Sequence, residues 1–171
     1  MTAIRPLNIN FYRRFFQVAY VTTDIQQSIK LFGELYGIHK FLTFDEPARM
    51  NIIDNGRETA CRMKLGFATV GEHQIELIEP VEDPIGRYTE ILPASGFGQR
   101  FHHLGCRFES REEWEEFRSS LDTEKHPIAF ENVGGESRYL YLDERNSLGH
   151  YLEYMWLTEQ NAAMFAAIPK N

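Results

Sequence analysis

Four side chains interrupt short apolar runs at places where chemistry could be done: Gln17, Glu76, His103 and Glu153. Each lies within a run that alternates like a strand, as in Gln17-Val18-Ala19-Tyr20-Val21 and His150-Tyr151-Leu152-Glu153-Tyr154-Met155. Successive strand residues point to opposite faces. One parity then carries Gln17, Ala19 and Val21; Gln74, Glu76 and Ile78; His103, Gly105 and Arg107; and Tyr151, Glu153 and Met155. The other parity is mainly apolar and is expected to pack against helices. Carboxylates, an imidazole, an amide and a guanidinium are costly to bury unless they are paired or hold a metal. Gln, Glu, His and Glu offer three oxygens and one nitrogen, with room for two water or substrate oxygens in an octahedron. The set has no thiolate, which disfavours a closed structural zinc site. Divalent Zn, Ni, Co, Mn or Fe suits these donors. On composition alone, each glutamate serves equally well as a salt-bridge partner.

The elements that must position these residues come in an internal repeat. His73-Gln74-Ile75-Glu76-Leu77-Ile78 matches His150-Tyr151-Leu152-Glu153-Tyr154-Met155, and Phe16-Gln17-Val18-Ala19-Tyr20 matches His102-His103-Leu104-Gly105-Cys106. The interval from Gln17 to Glu76 is nearly that from His103 to Glu153, and the excess fits in loops. Two modules are expected, 11–80 and 101–157, joined by a Pro- and Gly-bearing linker over 81–100, with a helical tail over 158–171. In the first, a strand over 15–21 leads to Asp24, a helix N-cap with Gln27 three residues on, and Gly37 is the stop. Strands should follow near 41–45, 60–68 and 73–79. In the second, a strand at 104–108 leads to a helix capped by Ser110. Strands near 127–131, 137–142 and 150–156 complete it. Each module reads strand–helix–strand–strand–strand.

The 171 residues suffice for one domain that buries roughly 70% of its unfolded surface. A net charge of −7 argues against nucleic acid as a partner. No apolar stretch is long enough for a membrane helix, and Met1–Asn10 has no apolar h-region, so a cytoplasmic protein is expected. Cys61 and Cys106 are then reduced thiols rather than a disulfide. The acidic run Glu112, Glu113, Glu115 and Glu116 reads as the wet face of the second helix, and Gly134-Gly135 as a turn. His73 and His150 fall at strand starts. His102 falls on the parity opposite His103 and reads as packed or hydrogen-bonded.

The runs Gln17-Val-Ala-Tyr-Val-Thr-Thr-Asp24, Ile75-Glu-Leu-Ile-Glu-Pro80, His102-His-Leu-Gly105 and Gly149-His-Tyr-Leu-Glu153 resemble the vicinal oxygen chelate superfamily over about residues 11–157. The resemblance implies an α+β fold of two βαβββ modules forming a cupped mixed sheet around a central cleft that holds one divalent metal ion, Zn, Ni or Co. It places Gln17, Glu76, His103 and Glu153 in the four metal slots, a set that looks like that of lactoylglutathione lyases. The text after Glu76, Leu-Ile-Glu-Pro-Val-Glu-Asp-Pro-Ile85, is more similar to methylmalonyl-CoA epimerases, although His is more usual than Gln17 there. The lyases' glutathione contacts read Val21 and Pro80 here. The implied activity is a metal-dependent isomerase, epimerase or lyase passing through an enolate on a small carbonyl or thioester substrate. Glu153 would be the base and Glu76 its counterpart. Arg107, Tyr151, Met155 and Val21 are candidate substrate contacts, with an ion pair to a nearby acid as the other reading of Arg107. A homodimer is expected from the same resemblance. The alternatives are a non-catalytic small-molecule binding or resistance protein and an Fe(II) extradiol-type dioxygenase.

Overall fold

Asp24 sets the first crossover. Its carboxylate accepts from the Gln27 backbone N–H at 2.9 Å, starting helix α2 (Ile25–Tyr36) directly after the two residues that follow strand β1 (Phe15–Thr22). The helix stops at Gly37, whose φ of 71° is left-handed and suits glycine. Ser110 does the same for α3 (Arg111–Ser120), accepting from Glu113 N. The computed structural model describes residues 11–135 and 137–171. The expectation for Met1–Asn10 lies outside the described residues.

The remaining elements are α1 (Phe11–Arg14), β2 (Leu42–Thr43), β3 (Ala48–Asp54), β4 (Arg57–Val70), β5 (His73–Glu82), β6 (Gln99–Arg107), β7 (Ile128–Asn132), β8 (Arg138–Glu144), β9 (His150–Trp156) and α4 (Glu159–Ala166). The chain has an α+β fold built from two βαβββ units, β1-α2-β3-β4-β5 and β6-α3-β7-β8-β9. One expected strand needs correction. Residues 41–45 give only the two-residue β2, and the module's second long strand is β3, which was not expected. Its sequence Ala-Arg-Met-Asn-Ile-Ile-Asp mixes polar and apolar residues and lies on a partly wet sheet. The turn after it carried the missed signal. Asn55 (φ 49°) and Gly56 (φ 76°) are both left-handed, the pattern that joins hairpin strands in register.

The sheet is mixed and curves round on itself. β1 pairs in parallel with β5, β6 in parallel with β9, and β1 antiparallel with β6. From β4 the order runs β3-β7-β8-β9-β6-β1-β5 and returns to β4, with β2 attached to β4. The seam between modules at β3–β7 is short, pairing Ile52 with Asn132 and Ile53 with Glu131. The repeat is visible in the register. Gln17 lies opposite Gln74 and Gly105, and His103 lies opposite Tyr151 and Ala19. Exchanging the modules therefore carries Gln17 onto His103 and Glu76 onto Glu153.

Alternation sorts the apolar side chains into three cores. α2 covers β4 and β5 through Ile25, Phe32, Ala68 and Leu77, and α3 covers β6, β8 and β9 through Trp114, Phe117, Leu152 and Tyr154. Inside the curve lie Val21, Ile52, Met63, Tyr88, Phe130 and Tyr151. Residues 83–98 form no strand or helix, yet they are pinned. Asp83 accepts from the N–H groups of Tyr88 and Thr89, and Tyr88 is only 1% exposed. Cys61 and Cys106 are free and buried, and burial pushes each thiol up to about 12. Among the described residues no helix is long and apolar enough to cross a membrane.

Phe117 is the sharpest test of the α3 core. Its ring stacks on Tyr154 at 4.4 Å and lies 5.2 Å from Phe108. Phe117→Ala should cost about 3–5 kcal/mol through lost transfer energy and the cavity left behind. Urea unfolding would show a lower midpoint at an unchanged slope.

Candidate metal centre

Glu76 on β5, His103 on β6 and Glu153 on β9 meet inside the curve, with one ligand atom of each within 4.8 Å of the others. His103 Nε2 is 3.3 Å from Glu153 Oε2 and 3.5 Å from Glu76 Oε2. All three are buried. His103 Nε2, Glu153 Oε2 and Gln17 Oε1 are buried polar atoms with no hydrogen-bond partner. Such orphans are expensive, and one cation between His103 Nε2 and Glu153 Oε2 would satisfy both. The donor set therefore fits a divalent ion.

Local structure aims each donor. Gln17 Nε2 donates to Gln74 Oε1 at 2.5 Å, which fixes the amide and leaves Oε1 as the free end. Gly105 makes room for it, because a Cβ there would stand 2.9 Å from Gln17 Oε1. His103 is held by its neighbour. Ala19 pairs with His103 and Tyr20 with Phe101, so His102 is an extra residue in β6, a bulge. The bulge overturns the simple parity and brings His102 beside His103, with their Nδ1 atoms 2.8 Å apart. His102 also stacks on Tyr88 at 4.8 Å. A matching irregularity at Phe16 precedes Gln17 in β1.

The tautomers follow from this chain of contacts. His102 Nε2 lies 3.2 Å from the Arg87 carbonyl, which can only accept, so Nε2 carries the proton. Burial, and then the charge on His103, hold the His102 imidazole well below its usual range, hence neutral. Its Nδ1 is therefore an acceptor, and His103 donates Nδ1–H to it. The Nε2 lone pair of neutral His103 is left for a cation.

Burial alone would lower His103. Glu153 and Glu76 outweigh it and lift the imidazolium up to about 9, while burial raises Glu76. The metal-free centre thus holds a proton at neutral pH where a cation would displace it. Uptake of Zn at pH 7 should release about one proton per chain, with affinity rising as the pH climbs towards 9. Calorimetry in buffers of different ionisation enthalpy counts that proton. A buffer-independent heat would mean that His103 is already neutral.

A cavity of about 430 Å³ opens onto Glu76 and Glu153, lined among others by Met155, Tyr88, Tyr139 and Tyr141. The family description "Glyoxalase/Bleomycin resistance protein/Dioxygenase superfamily" matches residues 16–128. The chain belongs to this superfamily. No curated protein sequence matches it. Among solved structures it is similar to a Streptomyces coelicolor methylmalonyl-CoA epimerase in complex with 2-nitronate-propionyl-CoA, at 16% identity and a TM-score of 0.53, covering 84% of this chain and 96% of that one. A methylmalonyl-CoA epimerase in complex with methylmalonyl-CoA and NH4+ gives 16% and 0.54, over 85% and 95%. The Mycobacterium tuberculosis methylmalonyl-CoA epimerase gives 18% and 0.53, over 87% and 91%. At these identities the likeness is one of fold.

Of the expected substrate contacts, this superfamily member places Met155 on the cavity and the other three elsewhere. Val21 is fully buried in the inner core. The Tyr151 hydroxyl donates to Glu90 Oε1 at 2.8 Å, and its ring lies beneath the Arg145 guanidinium. Arg107 stacks on Phe16 at 5.4 Å and lines a second cavity of about 580 Å³ with Gln74 and Lys170. The sequence reading missed Tyr88 and Met50 on the metal-side cavity. The first sits in the segment read as a linker, the second on the unexpected β3.

Proposed function

We propose that this chain is a metal-dependent isomerase, epimerase or lyase that removes a proton beside a carbonyl group. The observation that carries the reading is the buried cluster of Glu76, His103 and Glu153, whose ligand atoms lie within 4.8 Å of one another, with His103 Nε2 and Glu153 Oε2 unpartnered and both carboxylates on a cavity. Gln17, Glu76, His103 and Glu153 would hold one divalent ion, Zn, Ni or Co. When bound, such an ion supplies Lewis acidity to a carbonyl oxygen, worth several kcal/mol of charge stabilisation.

The rest falls to the chain. Glu153 takes the proton from carbon as the carbon's electron pair moves towards the carbonyl oxygen, giving an enolate. If the first carbon bears a hydroxyl, Glu153 returns the proton to the former carbonyl carbon while the hydroxyl proton passes to the former carbonyl oxygen, and the outcome is isomerisation. Glu76 reaches the same place from β5, through the matching position of the other module, and a proton delivered by it to the opposite face inverts the carbon. His103 contributes a fixed neutral nitrogen, and the buried walls keep water from the carbanion.

Metal content per chain, read by mass spectrometry on protein purified without chelator or metal-affinity resin, tests the reading. About one Zn, Ni or Co per chain is expected, lost in a folded Glu76→Ala/Glu153→Ala variant. Tightly bound iron would turn the assignment towards ring cleavage. No metal even after soaking would leave a small-molecule binding protein as the better account.

A further inference from the structure

The cavity beside the carboxylates carries more information than its volume. Its wall is built from Phe44, Met50, Leu65, Phe67, Met164 and Phe165, together with the tyrosines already named. The charged groups on it are Glu46, Glu76 and Glu153. Among the described residues no Lys, Arg or His lines it. Arg107 and Lys170 open instead onto the second cavity, which shares Leu157 and Phe165 with this one. An anionic group on the body of a substrate would therefore enter a space with three carboxylates and no cationic side chain. Burying an unpaired charge is far costlier than burying a hydrocarbon. The volume of about 430 Å³ exceeds the roughly 150 Å³ that suffices for benzene, so a ring-bearing body fits.

We propose that the substrate is an uncharged compound whose two neighbouring oxygens, a carbonyl and a hydroxyl or a second carbonyl, face Glu76, His103 and Glu153, and whose body is an aromatic or branched hydrocarbon. The inference rests on the metal centre proposed above and narrows its substrate. It sets this chain apart from activities on polyanionic thiol conjugates, whose charged arms have no partner inside this wall. The polar groups that remain, Ser137, Asn161 and the tyrosine hydroxyls, are uncharged donors and acceptors suited to neutral oxygens. Burial raises Tyr139 and Tyr141, so both keep their protons.

The test keeps the chelating head constant and changes the charge on the body. 2-Hydroxyacetophenone and 4-(hydroxyacetyl)benzoate are titrated by calorimetry into Zn-loaded protein and into metal-free protein. The neutral ketone should bind at least tenfold more tightly than the carboxylate in both, and more weakly overall without Zn. Equal affinities, a reversed order, or no binding of the ketone to either form would overturn the proposal. Failure to take up Zn would sink the metal centre alone, because the ratio on metal-free protein still reads the wall. Met164 is 38% exposed on α4 at the edge of this wall. Met164→Lys should shift the ketone-to-carboxylate affinity ratio severalfold towards the carboxylate. An unmoved ratio in that folded variant would show that the body binds elsewhere.

Discussion

Replacing Glu153 by glutamine should lower proton exchange at the substrate carbon by about 10²–10⁴-fold, the range for loss of a positioned general base. The substitution keeps the shape of a side chain that is buried at the centre of β9. It removes no hydrogen bond from Oε2, which has none. The fold should therefore persist, with far-ultraviolet circular dichroism unchanged. The rate can be read before the natural substrate is known, by following deuterium wash-in from D2O into 2-hydroxyacetophenone by NMR on Zn-loaded protein. Glu76→Gln makes the informative comparison. If the two carboxylates address opposite faces, that variant exchanges one methylene hydrogen stereospecifically where the wild type exchanges both. If Glu153→Gln exchanges at nearly the wild-type rate with Zn still bound, Glu153 is a ligand and not the base.

The parts of this centre that were legible in the sequence are those governed by local rules. Asp24 and Ser110 announce helix starts because their side chains satisfy N–H groups nearby in sequence. The inward parity of Gln17, Glu76 and Glu153 follows from strand geometry and needs no tertiary knowledge. The repeat then ties the four positions together, and the register reproduces it. What was hidden depends on long-range placement. Arg107 shares the parity of His103, yet it stacks on Phe16 and opens onto the other cavity, and parity carries no information on which cavity a side chain enters. Tyr151 shares it too, and turns to Glu90 and Arg145, two partners in segments whose position only the folded chain defines. Tyr88 lies in a stretch rich in turn residues, and composition marks such a stretch as a connection without saying what it packs against. β3 was missed because its pattern is half wet, although Asn55-Gly56 beside it was a hairpin signal in plain view.

The bulge at His102 is the case where a local rule failed, and it yields the last prediction. His102→Phe should weaken Zn binding by about 10–100-fold, the usual cost of losing the group that orients a ligating histidine. Phenylalanine can keep the stacking on Tyr88 but offers no acceptor to His103 Nδ1–H. Without that acceptor the neutral ring of His103 is free to adopt either tautomer, and the one with its proton on Nε2 cannot ligate. A merely structural role for His102 would predict something else: lower thermal stability with unchanged affinity in the fraction that folds. His102→Gln separates the two readings, since its side-chain oxygen can take over the acceptor role while its amide N–H groups face the Arg87 carbonyl. Recovery of Zn affinity in His102→Gln but not in His102→Phe would assign the effect to the hydrogen bond. Equal losses in both would assign it to packing. The bulge then has a physical purpose. A regular strand would put neighbouring residues on opposite faces, and only an inserted residue lets two adjacent histidines share one proton-ordered line from the Arg87 carbonyl to the carboxylate pair.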